Sequence, residues 1–114
     1  MVTPAIGAVV LVPFPFSDLS DTKLRPAVVL ADAGRGDWIL CQITSKSYGD
    51  ARAIQLADDN FESGSLRVVS YARPGKLFTA SIGLVVSQVA KLRPAPFGRI
   101  VDAVVDLLKA GIGG

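Results

Sequence analysis

KLRPAVVLADAGRGDWILCQITSK, residues 23–46, sets two apolar runs on either side of a Gly34-Arg35-Gly36 turn. The first run, RPAVVLA (25–31), opens with an arginine and a proline. The second, DWILCQITS (37–45), closes on Gln42, Thr44 and Ser45. Short apolar runs bounded by turn residues read as strands. Folded back on each other as an antiparallel hairpin, they bring the polar head of one beside the polar tail of the other, with Arg25 next to Ile43 or Thr44. Pro26, which has no N–H to donate, suits the first residues of a strand. The polar residues therefore gather into one patch at one edge of a sheet, next to the 17–23 loop.

Working outward, GAVVLVPF (7–14) is a continuous apolar run closed by proline, as expected of a strand buried on both faces. SDLSDTK (17–23) is rich in turn formers and reads as a loop. RAIQLA (52–57) and SLRVVSYA (65–72) are shorter strands, separated by turns at Asp58-Asp59-Asn60 and Ser63-Gly64. KLFT (76–79) and IGLVVSQVAKL (82–92) complete the β-rich part. The period then changes. From Pro96 to Ala110, Phe97, Ile100, Val101, Val104, Leu107 and Leu108 fall on one helical stripe, with Pro96 in the first turn and Gly111 at the stop. The pattern predicts a mainly β chain with minor α: six or seven antiparallel strands in a small, strongly bent sheet or partial barrel, covered by a C-terminal helix.

At 114 residues, half of them hydrophobic and 19% charged, the chain is expected to form one globular domain, residues 1–114. A net charge of +2 with scattered basic residues does not by itself call for nucleic acid. Residues 5–16 hold Gly7, Pro13 and Pro15 without a basic leader, so no signal peptide is expected there. With no run of ~20 apolar residues, a cytoplasmic protein with no membrane partner is expected. The single cysteine, Cys41, excludes an internal disulfide and reads as a buried structural thiol. The chain has no histidine, which removes Ser-His-Asp and Cys-His centres and the usual zinc sets.

What remains is the patch. Arg25, Thr44, Ser45 and Lys46 together offer cationic and hydroxyl donors to an anion, and phosphate matches a bidentate arginine. RNA carries its own nucleophile, the 2′-OH, so a protein need only align it and stabilise the charge that develops. A second reading stands beside this one: an arginine before proline is also an ordinary solvated strand start, and Ile-Thr-Ser an ordinary strand end. Trp38, Tyr71 and Phe16 are candidates both for core packing and for stacking on bases. Lys23, Lys46, Arg73 and Lys76 are candidates for backbone phosphates and equally for solvated surface charge.

The ordered set GAVVLVPF, loop, Arg25-Pro26-Ala27-Val28-Val29-Leu30 and Ile43-Thr44-Ser45, continued more loosely through RPGKLFT (73–79) and the terminal helix, resembles the MazF/PemK (Kid, CcdB-like) toxin family over almost the whole chain. The resemblance implies an SH3-like, CcdB-like barrel and a homodimeric endoribonuclease of a type II toxin–antitoxin pair. It also implies that a cognate antitoxin inhibits the enzyme, and that DNA is bound only through the antitoxin complex. It implies no cofactor and no metal. The substrate would be single-stranded RNA, cut by 2′-OH attack to leave 2′,3′-cyclic phosphate ends and so inhibiting translation and growth. The family's catalytic arginine falls on Arg25 and its catalytic threonine on Thr44. Arg73 takes the place of a second active-site arginine in the PemK/Kid branch, and Ser45, Lys46, Gln42 and Asp21 are further RNA-binding candidates. Two positions depart from the pattern: Ser20-Asp21-Thr22 replaces an acidic Ser-Glu-Gln stretch, and Gly75 replaces the Kid-type acidic residue. They leave open the alternative of an inactive SH3-like module that binds nucleic acid, or binds antitoxin as a co-repressor.

Overall fold

The computed structural model describes residues 4–15, 22–46 and 49–112. Seven strands precede one helix: β1 (Ala8–Pro15), β2 (Thr22–Gly34), β3 (Asp37–Thr44), β4 (Ile54–Leu56), β5 (Phe61–Gly64), β6 (Ser70–Ser81), β7 (Ser87–Leu92) and α1 (Pro94–Ala110). The strands form one antiparallel sheet in the order β4-β6-β3-β2-β1-β7-β5, curled into a half-barrel. The sheet and its closing helix are those the apolar periodicities predict.

The three central strands are apolar on both faces because both faces are covered. Alternate residues of β1, β2 and β3 enter two separate clusters. Val9, Val28, Cys41 and Ile43 join Leu56, Leu92 and Ile100 of α1 on one side. Val10, Val12, Ala27, Val29 and Leu40 join Ala80 on the other, with Trp38, Phe78 and Val85 against them. The hairpin between β2 and β3 turns through Gly34, Arg35 and Gly36, all with positive φ (88°, 58° and 81°). That backbone is natural for the two glycines and costly for Arg35. The Asp32 side chain accepts a hydrogen bond from the Gly34 N–H at 2.7 Å and helps hold the turn.

Several boundaries differ from the sequence pattern. β2 begins at Thr22, so Pro26 lies within it and not at its start. Its missing N–H is nonetheless accommodated, because the β2–β3 pairing begins only at Ala27 opposite Gln42. The 52–57 strand shrinks to Ile54–Leu56. Residues 65–69 are irregular, with Arg67 at φ 70°, and β6 starts only at Ser70. The Ser63-Gly64 turn is instead part of β5, whose pairing with β7 overrides the weak strand preference of Phe-Glu-Ser-Gly. The runs 70–72 and 76–79 are one strand interrupted by a bulge, and 82–92 divides into a short 3₁₀ turn and β7.

α1 starts two residues earlier than the pattern indicates, with Pro94 and Pro96 both in its first turn, and gives way at Gly111. Ile100 is fully buried, whereas Leu108 on the same nominal stripe is 64% exposed. Ile100→Ala is expected to cost about 2–5 kcal/mol in urea unfolding. Leu108→Ala, at a site exposed in the single chain, is expected to cost clearly less than Ile100→Ala.

Candidate nucleic-acid interface

The register of the central strands decides which polar side chains meet. Ala27, Val28 and Val29 pair with Gln42, Cys41 and Leu40. Carried two residues further along both strands, the same register sets Arg25 level with Thr44. On either side the row continues: Val12 of β1 pairs with Arg25, Tyr71 of β6 pairs with Thr44, and Gln55 of β4 pairs with Tyr71. Residues directly opposite one another share a face. Val12, Arg25, Thr44, Tyr71 and Gln55 therefore form one transverse row on the face opposite the helix. Of the two alternatives for Arg25, Thr44 is the neighbour on its own face, while Ile43 points into the helix-side core.

Arg25, Thr44, Gln42 and Tyr71 are half-buried, and Gln55 is exposed. Thr44 sits at the last residue of β3, where its Oγ1 accepts the Lys46 N–H at 3.2 Å. A hydroxyl so engaged still has its own proton to donate. Lys23, two residues before Arg25, lies exposed on the same face. Ser45 and Lys46 follow Thr44 in the exposed strand end. Asp21 and Phe16 fall outside the described residues. Trp38 packs against the second cluster at the far end of β3, so of the three aromatic candidates it belongs to the core.

Arg73 reaches this region through the bulge of β6. Between Ile43 opposite Ala72 and Cys41 opposite Leu77, β3 advances by two residues while β6 runs through Arg73, Pro74, Gly75 and Lys76. The bulge lies across from Gln42, and it is anchored rather than loose. Pro74 is buried, and the Arg73 carbonyl accepts the Cys41 thiol at 3.2 Å. The Arg73 guanidinium donates from Nε to Asp50 Oδ2 at 3.1 Å. The other oxygen of Asp50 accepts the Arg52 N–H at 2.9 Å. These contacts, the Arg52 N–H first and the Arg73 side chain next, hold the Asp50 carboxyl below its ordinary value.

Sequence reasoning thus locates Arg25, Gln42, Thr44, Ser45, Lys46 and Arg73 around one stretch of surface. It misses Asp50 and Gln55, and leaves Tyr71 between core and site. Gly49-Asp50 carries a turn signal, but nothing in the sequence joins Asp50 to an arginine twenty-three residues away. Electrostatically the surface is cationic, with Lys23, Arg25, Lys46, Arg73 and Lys76 around a single described carboxylate, Asp50. Such a surface suits an extended polyanion. A half-open cleft of about 230 Å³ lies between β5, β7 and the start of α1, bordered by Glu62, Lys91 and Phe97, and shares no residue with the row. Among the described residues no three histidine, cysteine, aspartate or glutamate side chains gather to hold a metal.

No family model matches the chain, and no curated protein matches it. Solved structures do. A chain of the MazE–MazF complex from Deinococcus radiodurans superposes with a TM-score of 0.74 at 20% identity, covering 95% of this chain and 97% of that one. MazF from the same organism gives 0.71 at 18% identity, covering 95% and 98%. An endoribonuclease in complex with its cognate antitoxin, from a mycobacterial species, gives 0.66 at 14% identity, covering 99% and 96%. The chain is similar to these proteins in fold over nearly its full length and theirs.

Burial pushes the Cys41 thiol up from 9.0 to about 12, against a smaller contrary pull from the Arg73 backbone. The native protein is therefore expected to resist a thiol reagent at pH 8 and to react fully once unfolded. Because the folded value lies above the unfolded one, this contribution is complete below about 9 and lost as pH rises towards 12. Stability should fall there by about 1.4 kcal/mol per pH unit, measured by urea titration, and Cys41→Ala should lose that slope.

Proposed function

We propose that the chain is the toxin of a type II toxin–antitoxin pair and a member of the MazF/PemK family, an endoribonuclease acting on single-stranded RNA. The observation that carries this reading is the row in which Arg25 stands level with Thr44, on a face that also carries Lys23. The likeness in fold to MazF structures and to a mycobacterial endoribonuclease supports it.

The chemistry follows from the groups at hand. A phosphate laid across the row meets the Arg25 guanidinium, a charged donor able to hold two oxygens, and the Thr44 hydroxyl, a neutral donor to a third. The 2′-oxygen of the same nucleotide gives up its proton and attacks the phosphorus. The bond from phosphorus to the 5′-oxygen of the next nucleotide breaks, and that oxygen takes up a proton. The products are a 2′,3′-cyclic phosphate and a free 5′-hydroxyl. Arg25 and Thr44 bear on the charge that builds on the non-bridging oxygens as the pentacovalent state forms. Lys23, Lys46, Lys76 and Arg73 would hold flanking phosphates, Gln42 and Ser45 would line the path of the strand, and Tyr71 would offer a ring to a neighbouring base.

The remaining features of this reading are a homodimer and an antitoxin partner, with DNA bound only through the antitoxin complex. Val105, Leu108 and Ile112 are exposed along one stripe of α1 and its end, at 38%, 64% and 83%. An apolar stripe of this kind suits burial against a second copy. No helix among the described residues is long and apolar enough to cross a membrane, in keeping with the proposed cytoplasmic setting.

Cleavage of a long single-stranded RNA in EDTA tests the enzyme. Defined cuts ending in a 2′,3′-cyclic phosphate are expected. Arg25→Ala should lower the rate by about 10²–10³-fold and Thr44→Ala by about tenfold or more, with unfolding midpoints near the parent. RNA bound but left whole would favour a binding or co-repressor module, a reading consistent with Gly75 in place of a carboxylate. Sedimentation should give twice the 11.9 kDa chain mass, and Leu108→Glu should shift the protein towards monomer.

A further inference from the structure

We propose that Asp50 is a positioning residue of this site, holding the Arg73 guanidinium at the edge of the Arg25–Thr44 row so that it meets a phosphate of bound RNA; the assignment rests on the ribonuclease reading above.

Both ends of Arg73 are held. Its backbone is set between Ala72, which is buried and paired with Ile43, and the buried Pro74, whose ring fixes its own φ. Its carbonyl takes the Cys41 thiol from the core side. Its guanidinium lies on Asp50 Oδ2 at 3.1 Å. Asp50 is fixed in turn: Oδ1 takes the Arg52 N–H and the Asp50 carbonyl takes the Ala53 N–H at 3.1 Å, so the carboxylate cannot swing away without opening the turn.

Exposed ion pairs contribute little to stability, which makes this arrangement a weak staple. Its stronger effect is on orientation. The two side chains are 21% and 20% exposed, enough cover to keep the pair ordered and enough opening for a phosphate to approach. An arginine pinned before the substrate arrives loses less freedom on binding it. The depressed Asp50 carboxyl stays ionised wherever RNA can be assayed, so it acts as a fixed anion and not as a proton carrier.

The test pairs Asp50→Asn with Arg73→Ala, singly and together, in two measurements. In cleavage, each single variant should raise KM by about tenfold with kcat changed less than about threefold, and the double variant should be no worse than Arg73→Ala. Asp50→Glu should recover most of the loss. In binding, a fluorescent 2′-deoxy oligonucleotide, which has no 2′-OH to attack, should be held equally weakly by all three variants at low salt. Losses that multiply in the double variant, parental behaviour of Asp50→Asn in both assays, or tighter binding by Asp50→Asn would each overturn the assignment. Tighter binding would mean that Asp50 competes with phosphate for Arg73. If the parent binds the oligonucleotide with this coupling yet leaves RNA whole, the ribonuclease reading fails and the positioning role stands. If the parent neither cuts nor binds, both fall.

Discussion

The pairing of β2 with β3 is the constraint from which the rest follows. These strands stand second and third among the five that carry the row, and a shift of one residue between them would exchange the two faces of the molecule. Cys41 and Ile43 would leave the helix-side core, and Thr44 would turn away from Arg25. The register is fixed twice over. At one end the Gly34-Arg35-Gly36 turn joins the strands, and two register shifts between it and Val29 bring them to the offset that pairs Ala27 with Gln42. Along the strands, each face has apolar side chains to bury, so any slip would expose one cluster and bury polar atoms in the other. The proposed site is therefore a by-product of the core: Arg25 and Thr44 meet because Val28 and Cys41 do.

The same constraint explains why a polar row tolerates such an apolar setting. β3 is buried through Leu40, Cys41 and Ile43 and is polar at its start, Asp37, and again at Gln42 and Thr44 as it leaves the sheet's centre. β2 is polar before it enters that centre and again at Asp32, next to the turn. The two ends coincide in space because antiparallel strands run in opposite senses, and β6 adds Tyr71 at the same level. Donors set side by side on several neighbouring strands suit a polymer that lies across those strands better than they suit a small molecule.

How far the sequence discloses this varies with the range of the interaction. The hairpin and its polar patch are legible because a short turn joins the partners, although the two register shifts between that turn and Val29 are not. The helix is legible because its period is local, although the exposure of Leu108 depends on what lies beneath the last turns, which no periodicity records. β5 was not legible: Phe61–Gly64 has poor strand chemistry, and only β7, far along the chain, makes it a strand. The Asp50–Arg73 contact was hidden for the same reason, since it joins a turn to a bulge across three intervening elements. The long β6 was read as two pieces because Arg73-Pro74-Gly75 looks like a terminus. In the folded chain it is a detour between two stretches that keep pairing with the same partner.

That detour also separates two kinds of change the chain can absorb. On one side of the bulge the sheet is locked by Ile43 and Ala72, on the other by Cys41 and Leu77. The segment between them is itself tied to the core, by the buried Pro74 and by the Cys41 thiol on the Arg73 carbonyl, so its backbone is held as firmly as the strands it joins. A change at Arg73 or Lys76, whose side chains leave that anchored backbone, alters only what the surface presents, whereas a change at Pro74 is passed to the core.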